Sequence, residues 1–121
     1  MKHILLDNAK KELIIKLKKS AKTEKKNYLT AVADAIDVSS RNFASVNVYS
    51  LDKLAEKNKD KIFVVPGKVL AFGSIKNKVN VYAYKFSKEA KEKIAETKGT
   101  IKTLEELIND KIDGKNILLV K

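Results

Sequence analysis

The residues best equipped to do chemistry in this chain lie between positions 63 and 78. The stretch "FVVPGKVLAFG" (63–73) holds the only proline, Pro66, and two of the four glycines, Gly67 and Gly73. Lys68 is the single charge within it. A lysine after a glycine suits an anion, because a phosphate can approach backbone N–H groups and the ammonium together. Ser74, Lys76, Asn77 and Lys78 follow closely and add donors. A second group, Arg41-Asn42-Phe43, sets a guanidinium, an amide and a ring side by side. Arg41 is the only arginine, and its planar fork suits bidentate contact with phosphate or a base edge.

Enzymatic chemistry finds little material. His3 is the only histidine and sits near the terminus, without an obvious orienting partner. Cysteine is absent, so there is no disulfide framework or thiolate metal site. The acids fall mostly among lysines, where i, i+4 pairing accounts for them, and no metal-ligating cluster stands out. "VPGKVL" is not a full phosphate loop, since Val69 stands where a magnesium-holding hydroxyl is needed. These absences predict no enzyme, no cofactor, no metal and no small-molecule substrate.

Charge points instead to a polyanion. The chain of 121 residues carries 26 basic and 15 acidic side chains, a net of +11. The excess is concentrated in residues 1–30, with nine lysines and three acids, and 61–90, with six lysines and one acid. Neutralised phosphates release counterions, so two such segments read as two edges of one nucleic-acid contact surface. In the first, Lys18, Lys22, Lys25 and Lys26 are the candidates. In the second they are Gly67, Lys68, Ser74, Lys76 and Lys78, with Arg41 and Asn42 between. No apolar run approaches the ~20 residues of a membrane span, and "MKHILLDNAKK" does not read as a signal peptide.

Elements must position these groups. The length fits one domain over 1–121, with no visible linker or repeat. Ala9, Leu13, Ile14, Leu17 and Ala21 predict a helix over 8–21 capped by Asp7. If that helix continues, Lys11, Lys18, Lys22 and Lys25 share one face. Asn27 is a candidate cap for a second helix with Leu29, Val32, Ala33 and Ile36 inward. "VNVY" (46–49) reads as a strand and Ser50 as the cap of a short helix. "KIFVV" (61–65) reads as a strand closed by a Pro66-Gly67 turn, and "VNVYAY" (79–84) as a half-covered strand. Ser87 caps a helix that Gly99 stops. "TIK" is a short strand, Thr103-x-x-Glu106 a capping box, and "ILLV" (117–120) a last strand. Two helices followed by alternating strands and helices predict an α/β layered domain.

The chain resembles the archaeal and eukaryotic large-subunit ribosomal protein family "L eighteen-e", related to the C-terminal part of bacterial large-subunit ribosomal protein fifteen. The resemblance spans about Leu5 to Val120. It is carried by "VNV" (46–48) with Ser50, Leu51 and Leu54, by "VVPGKVLAFG" (64–73), by "KVNVYAY" (78–84) and by "FSKEAKEKI" (86–94). It implies an α/β fold, an irregular strand-strand-helix superhelix preceded here by two N-terminal helices. It implies a non-enzymatic structural constituent of the cytoplasmic ribosome, with large-subunit ribosomal RNA and neighbouring ribosomal proteins as partners. By position, "VPGKVLAFG" becomes an RNA-facing loop. On this expectation Pro66 ends the strand, Gly67 turns the backbone, and Val69, Leu70 and Phe72 anchor the loop so that Lys68 faces phosphate. The segment around Arg41 is less arginine-rich than the family pattern. The alternative is a free-standing nucleic-acid binder, chromatin-associated or regulatory, for which no recognition-helix or zinc pattern is present.

Overall fold

The computed structural model describes residues 2–37, 44–58, 61–112 and 114–120. Arg41, Asn42 and Phe43 lie outside them. Two helices, α1 (Lys2–Glu24) and α2 (Asn27–Ile36), precede β1 (Ala44–Asn47), α3 (Val48–Lys57), β2 (Ile62–Leu70), β3 (Asn80–Phe86), α4 (Lys88–Glu96), β4 (Thr100–Thr103), α5 (Leu104–Asp110) and β5 (Ile117–Leu119). The strands run β1-β2-β3-β4, with β5 also on β2, and every described pairing is parallel. The expected α/β architecture with two leading helices is what the chain forms.

The period of two in the strands divides the core. Phe63, Val65, Val81 and Ala83 face α3 and α4, meeting Leu51, Ala55, Ala90 and Ile94. Val64 and Tyr82 face the other way, against Leu13, Leu17, Leu29, Val32, Leu104 and Leu107 of α1, α2 and α5. The sheet is thus sandwiched, which is what a fully parallel sheet requires.

Several boundaries differ from expectation. Helix α1 starts before Asp7, because no glycine or proline interrupts residues 1–24 and a capping residue alone does not halt a helix. It ends in a Schellman motif, with Lys25 left-handed (φ 56°) and the Lys26 N–H donating to the Ala21 carbonyl at 2.9 Å. Lys25 therefore leaves the helix face that Lys18 and Lys22 share. Asn27 is the first helical residue of α2 rather than its cap. Val48 and Tyr49 belong to α3, so Ser50 does not cap it. The Ser87 and Thr103 caps form as read: Ser87 Oγ accepts the Ala90 N–H at 3.1 Å, and Thr103 Oγ1 the Glu106 N–H at 3.2 Å. Helix α4 closes with Lys98, not Gly99, in the left-handed position (φ 65°). Gly99 is needed for space, since a Cβ there would run into the Val79 backbone.

The largest correction concerns Pro66 and Gly67. They form no turn; β2 continues through both, and both are buried. A proline inside a central strand must not cost a ladder hydrogen bond. Here β5 lies against Ile62–Val64 and β1 against Gly67–Leu70, so Pro66 falls between the two neighbours. On its other side the register to β3 shifts between Val65 and Lys68, a bulge that absorbs one residue.

Candidate RNA interface

Beyond Leu70 the chain returns to the start of β3 without a helix. This crossover, residues 71–79, runs over the α3/α4 side of the sheet, where Ile75 and Val79 pack against the core. Two charged side chains tie it down. Asp52, on α3, is only 7% exposed, so its carboxylate must be satisfied internally. Its Oδ1 accepts the Lys76 N–H at 3.0 Å, the Asn77 N–H at 2.8 Å and Asn77 Nδ2 at 2.9 Å. Burial alone would push this carboxyl up, but the Asn77 and Lys76 hydrogen bonds outweigh it and hold it below its ordinary value of 3.8. Lys93, on α4, donates to the carbonyls of Ala71 at 2.6 Å and Gly73 at 2.7 Å. Gly73 itself is left-handed (φ 88°), and a Cβ there would overlap Tyr49 Cβ.

These internal bonds use the backbone and leave the lysine side chains outward. Ser74, Lys76 and Lys78 are exposed. Lys68 is half-buried near the end of β2, in register with Ser45 on β1 and Lys85 on β3. Two adjacent ammonium-bearing residues repel unless an anion lies between them. Among the described residues neither Lys68 nor Lys85 has a carboxylate partner. Lys85 also lines an open cleft with Lys91, Lys102, Tyr84, Phe86 and Ile101. Of the expected anchors, Val69 is buried, whereas Leu70 and Phe72 are 38% and 76% exposed. The rigidity expected of this segment comes from Asp52 and Lys93 instead. Gly67, buried in the sheet, belongs to the scaffold and offers no surface.

The lysines at the end of α1 stand apart from this crossover. Helix α1 covers the opposite side of the sheet, so the two basic segments do not form edges of one flat surface. Lys18 lies 3.8 Å from Asp34 in an exposed pair. Lys22 and Lys25 are exposed. Lys26 Nζ donates to the Ile112 carbonyl at 2.9 Å, pinning the end of α5 to the α1–α2 turn. Asp52, Lys93 and Lys85 were missed in the sequence. The first two had a signal: Asp52 continues the Val48, Leu51, Ala55 stripe, and Lys93 falls beside Ala90 and Ile94.

Among the described residues there is no cluster of three or more His, Cys, Asp or Glu able to hold a metal, and no helix is long and apolar enough to cross a membrane. The family model described as ribosomal protein 60S L18 and 50S L18e matches residues 2–121. A protein named large ribosomal subunit protein eL18 from Sulfolobus acidocaldarius is 36% identical, covering 90% of this chain and 92% of its own. Those of the same name from Archaeoglobus fulgidus and Thermoplasma acidophilum are 38% and 40% identical, covering 86% and 74% of this chain and 86% and 73% of theirs. With residues 2–121 matched by the family model and relatives of 36% to 40% identity covering 74% to 90% of it, the chain belongs to the large-subunit ribosomal protein family of 60S L18 and 50S L18e.

Proposed function

We propose that this protein is a structural constituent of the large ribosomal subunit in the cytoplasm, where it binds folded large-subunit ribosomal RNA and abuts neighbouring ribosomal proteins, catalysing nothing. The observation that carries this reading is a backbone crossover tied by Asp52 and Lys93 while its own lysines point outward. A surface already rigid loses little entropy when a polyanion docks. Ser74, Lys76 and Lys78 on the crossover, and Lys68 beside Lys85, are the proposed phosphate contacts. Lys18, Lys22 and Lys25 supply a second, weaker basic surface, with Arg41 and Asn42 as further candidates in the α2–β1 connection.

The test replaces Lys68, Lys76 and Lys78 together with alanine and titrates a transcribed archaeal large-subunit ribosomal RNA at several salt concentrations. Losing three phosphate contacts makes the slope of log K against log salt shallower by roughly 2 to 3. Unchanged affinity and slope would overturn the site. Co-sedimentation with large subunits in moderate salt separates a ribosomal constituent from a free-standing nucleic-acid binder.

A further inference from the structure

Among the described residues four large apolar side chains are exposed, and three of them belong to two segments that touch: Tyr49 (48%) on one, Leu70 (38%) and Phe72 (76%) on the other. They sit where the crossover leaves the sheet. The Tyr49 N–H donates to the Phe72 carbonyl at 3.3 Å, and Gly73 lies directly on Tyr49 Cβ. Lys93 grips the carbonyls on either side of Phe72, those of Ala71 and Gly73. The Phe72 backbone is therefore fixed on both flanks while its side chain faces solvent. Such a ring is not a core residue that failed to bury; the structure holds it out.

The surroundings identify what covers it. Lys53 Nζ lies 5.4 Å from the centre of the Tyr49 ring, and exposed Ser74 and Lys76 follow Phe72 along the crossover. The centres of protein–protein interfaces are depleted in lysine. Aromatic rings set among cations are the arrangement that takes a splayed nucleobase, with the ring under the base and the cations on its phosphates. We propose that Phe72, flanked by Tyr49, is a stacking platform for an unpaired base of RNA, whose backbone runs across Lys53 and Lys76. This rests on the RNA-binding reading above and adds to it a contact that is not electrostatic.

Three variants of the full chain, Phe72→Ala, Phe72→Leu and Phe72→Trp, are titrated with the same ribosomal RNA transcript beside the triple-lysine variant. Phe72→Ala binds about 5- to 100-fold more weakly, with an unchanged salt slope, because stacking releases no counterions. Phe72→Leu is weakened similarly. Phe72→Trp binds at least as well as the parent. The chain has no tryptophan, so the emission of Phe72→Trp reports this position alone, and it is quenched when RNA saturates the protein. Full affinity in Phe72→Ala, or unquenched emission at saturation, overturns the platform. If the triple-lysine variant still loses affinity in that case, the RNA-binding reading stands without it. If neither variant loses affinity, both fall. Full affinity in Phe72→Leu also overturns stacking, because leucine offers a base no π-face.

Discussion

The crossover and the end of α1 carry charge of the same sign but hold it in opposite ways. In the crossover, two buried or half-buried groups from α3 and α4 fix the backbone, and the exposed lysines inherit its position. At the end of α1 two of the lysines and one lysine's backbone serve the fold itself, while the Lys22 and Lys25 side chains stay exposed. Lys18 pairs with Asp34, Lys26 caps Ile112, and Lys25 turns the chain. A lysine count is thus a poor guide to binding: some lysines in this protein bind carbonyls of their own fold. What sets the crossover apart is the order imposed on it before any partner arrives.

The comparison breaks most readily at Asp52. Asp52→Ala removes three hydrogen bonds to one buried carboxylate, and hydrogen bonds to charged groups contribute most when buried. The expected cost is about 3 kcal/mol by urea denaturation, with the RNA affinity of the crossover falling too. A loss below about 1 kcal/mol would mean that the crossover is held by packing alone. Acid probes the same bond more gently. Because the folded form holds Asp52 below 3.8, its contribution is complete above the unfolded value and is lost as pH falls through the lower, folded one. The amide proton signals of Lys76 and Asn77 should therefore move with a midpoint below 3.8; a midpoint above it contradicts the clamp. Asp110 titrates in the same direction, held down by the Tyr82 hydroxyl and then by Lys102, and serves as an internal control away from the crossover. The smallest effect belongs to the helix. Lys18→Ala with Lys22→Ala should change stability by no more than about 0.5 kcal/mol, as exposed residues do. Its effect on RNA affinity should be smaller than that of the triple-lysine variant, and an equal effect would erase the distinction drawn here.

Much of the scaffold could be read from the chain. Ser87 and Thr103 announce helices by local chemistry, and "VNVYAY" alternates because its two faces meet different layers. Asp7, Asn27 and Ser50 are misplaced caps, local errors of a few residues; the larger failures are tertiary. Pro66-Gly67 carries every local mark of a turn, yet a change of strand neighbours makes it a strand interior. Lys98 adopts the left-handed position expected of Gly99, because the approach of the Val79 backbone leaves no room for a side chain at 99. An apolar Phe72 reads as an inward anchor, and nothing local says that Lys93 reaches across to hold the carbonyls on either side of it while its ring stays exposed. At the candidate site, charge along the sequence points to Lys68, Lys76 and Lys78 but passes over Lys85, which only the strand register sets beside Lys68. The means of fixing them was written in two charged residues set into apolar helix stripes, which is a pattern rather than a motif.

The pairing of β5 with the first half of β2 joins residues more than fifty positions apart, Ile62 to Ile117 and Val64 to Leu119. No neighbouring strands in this parallel sheet can zip up as a local hairpin. During synthesis, the front half of β2 must wait with one flank bare until residues 117–119 have been made. The nascent chain completes this sheet only once β5 has emerged behind everything that separates it from β2.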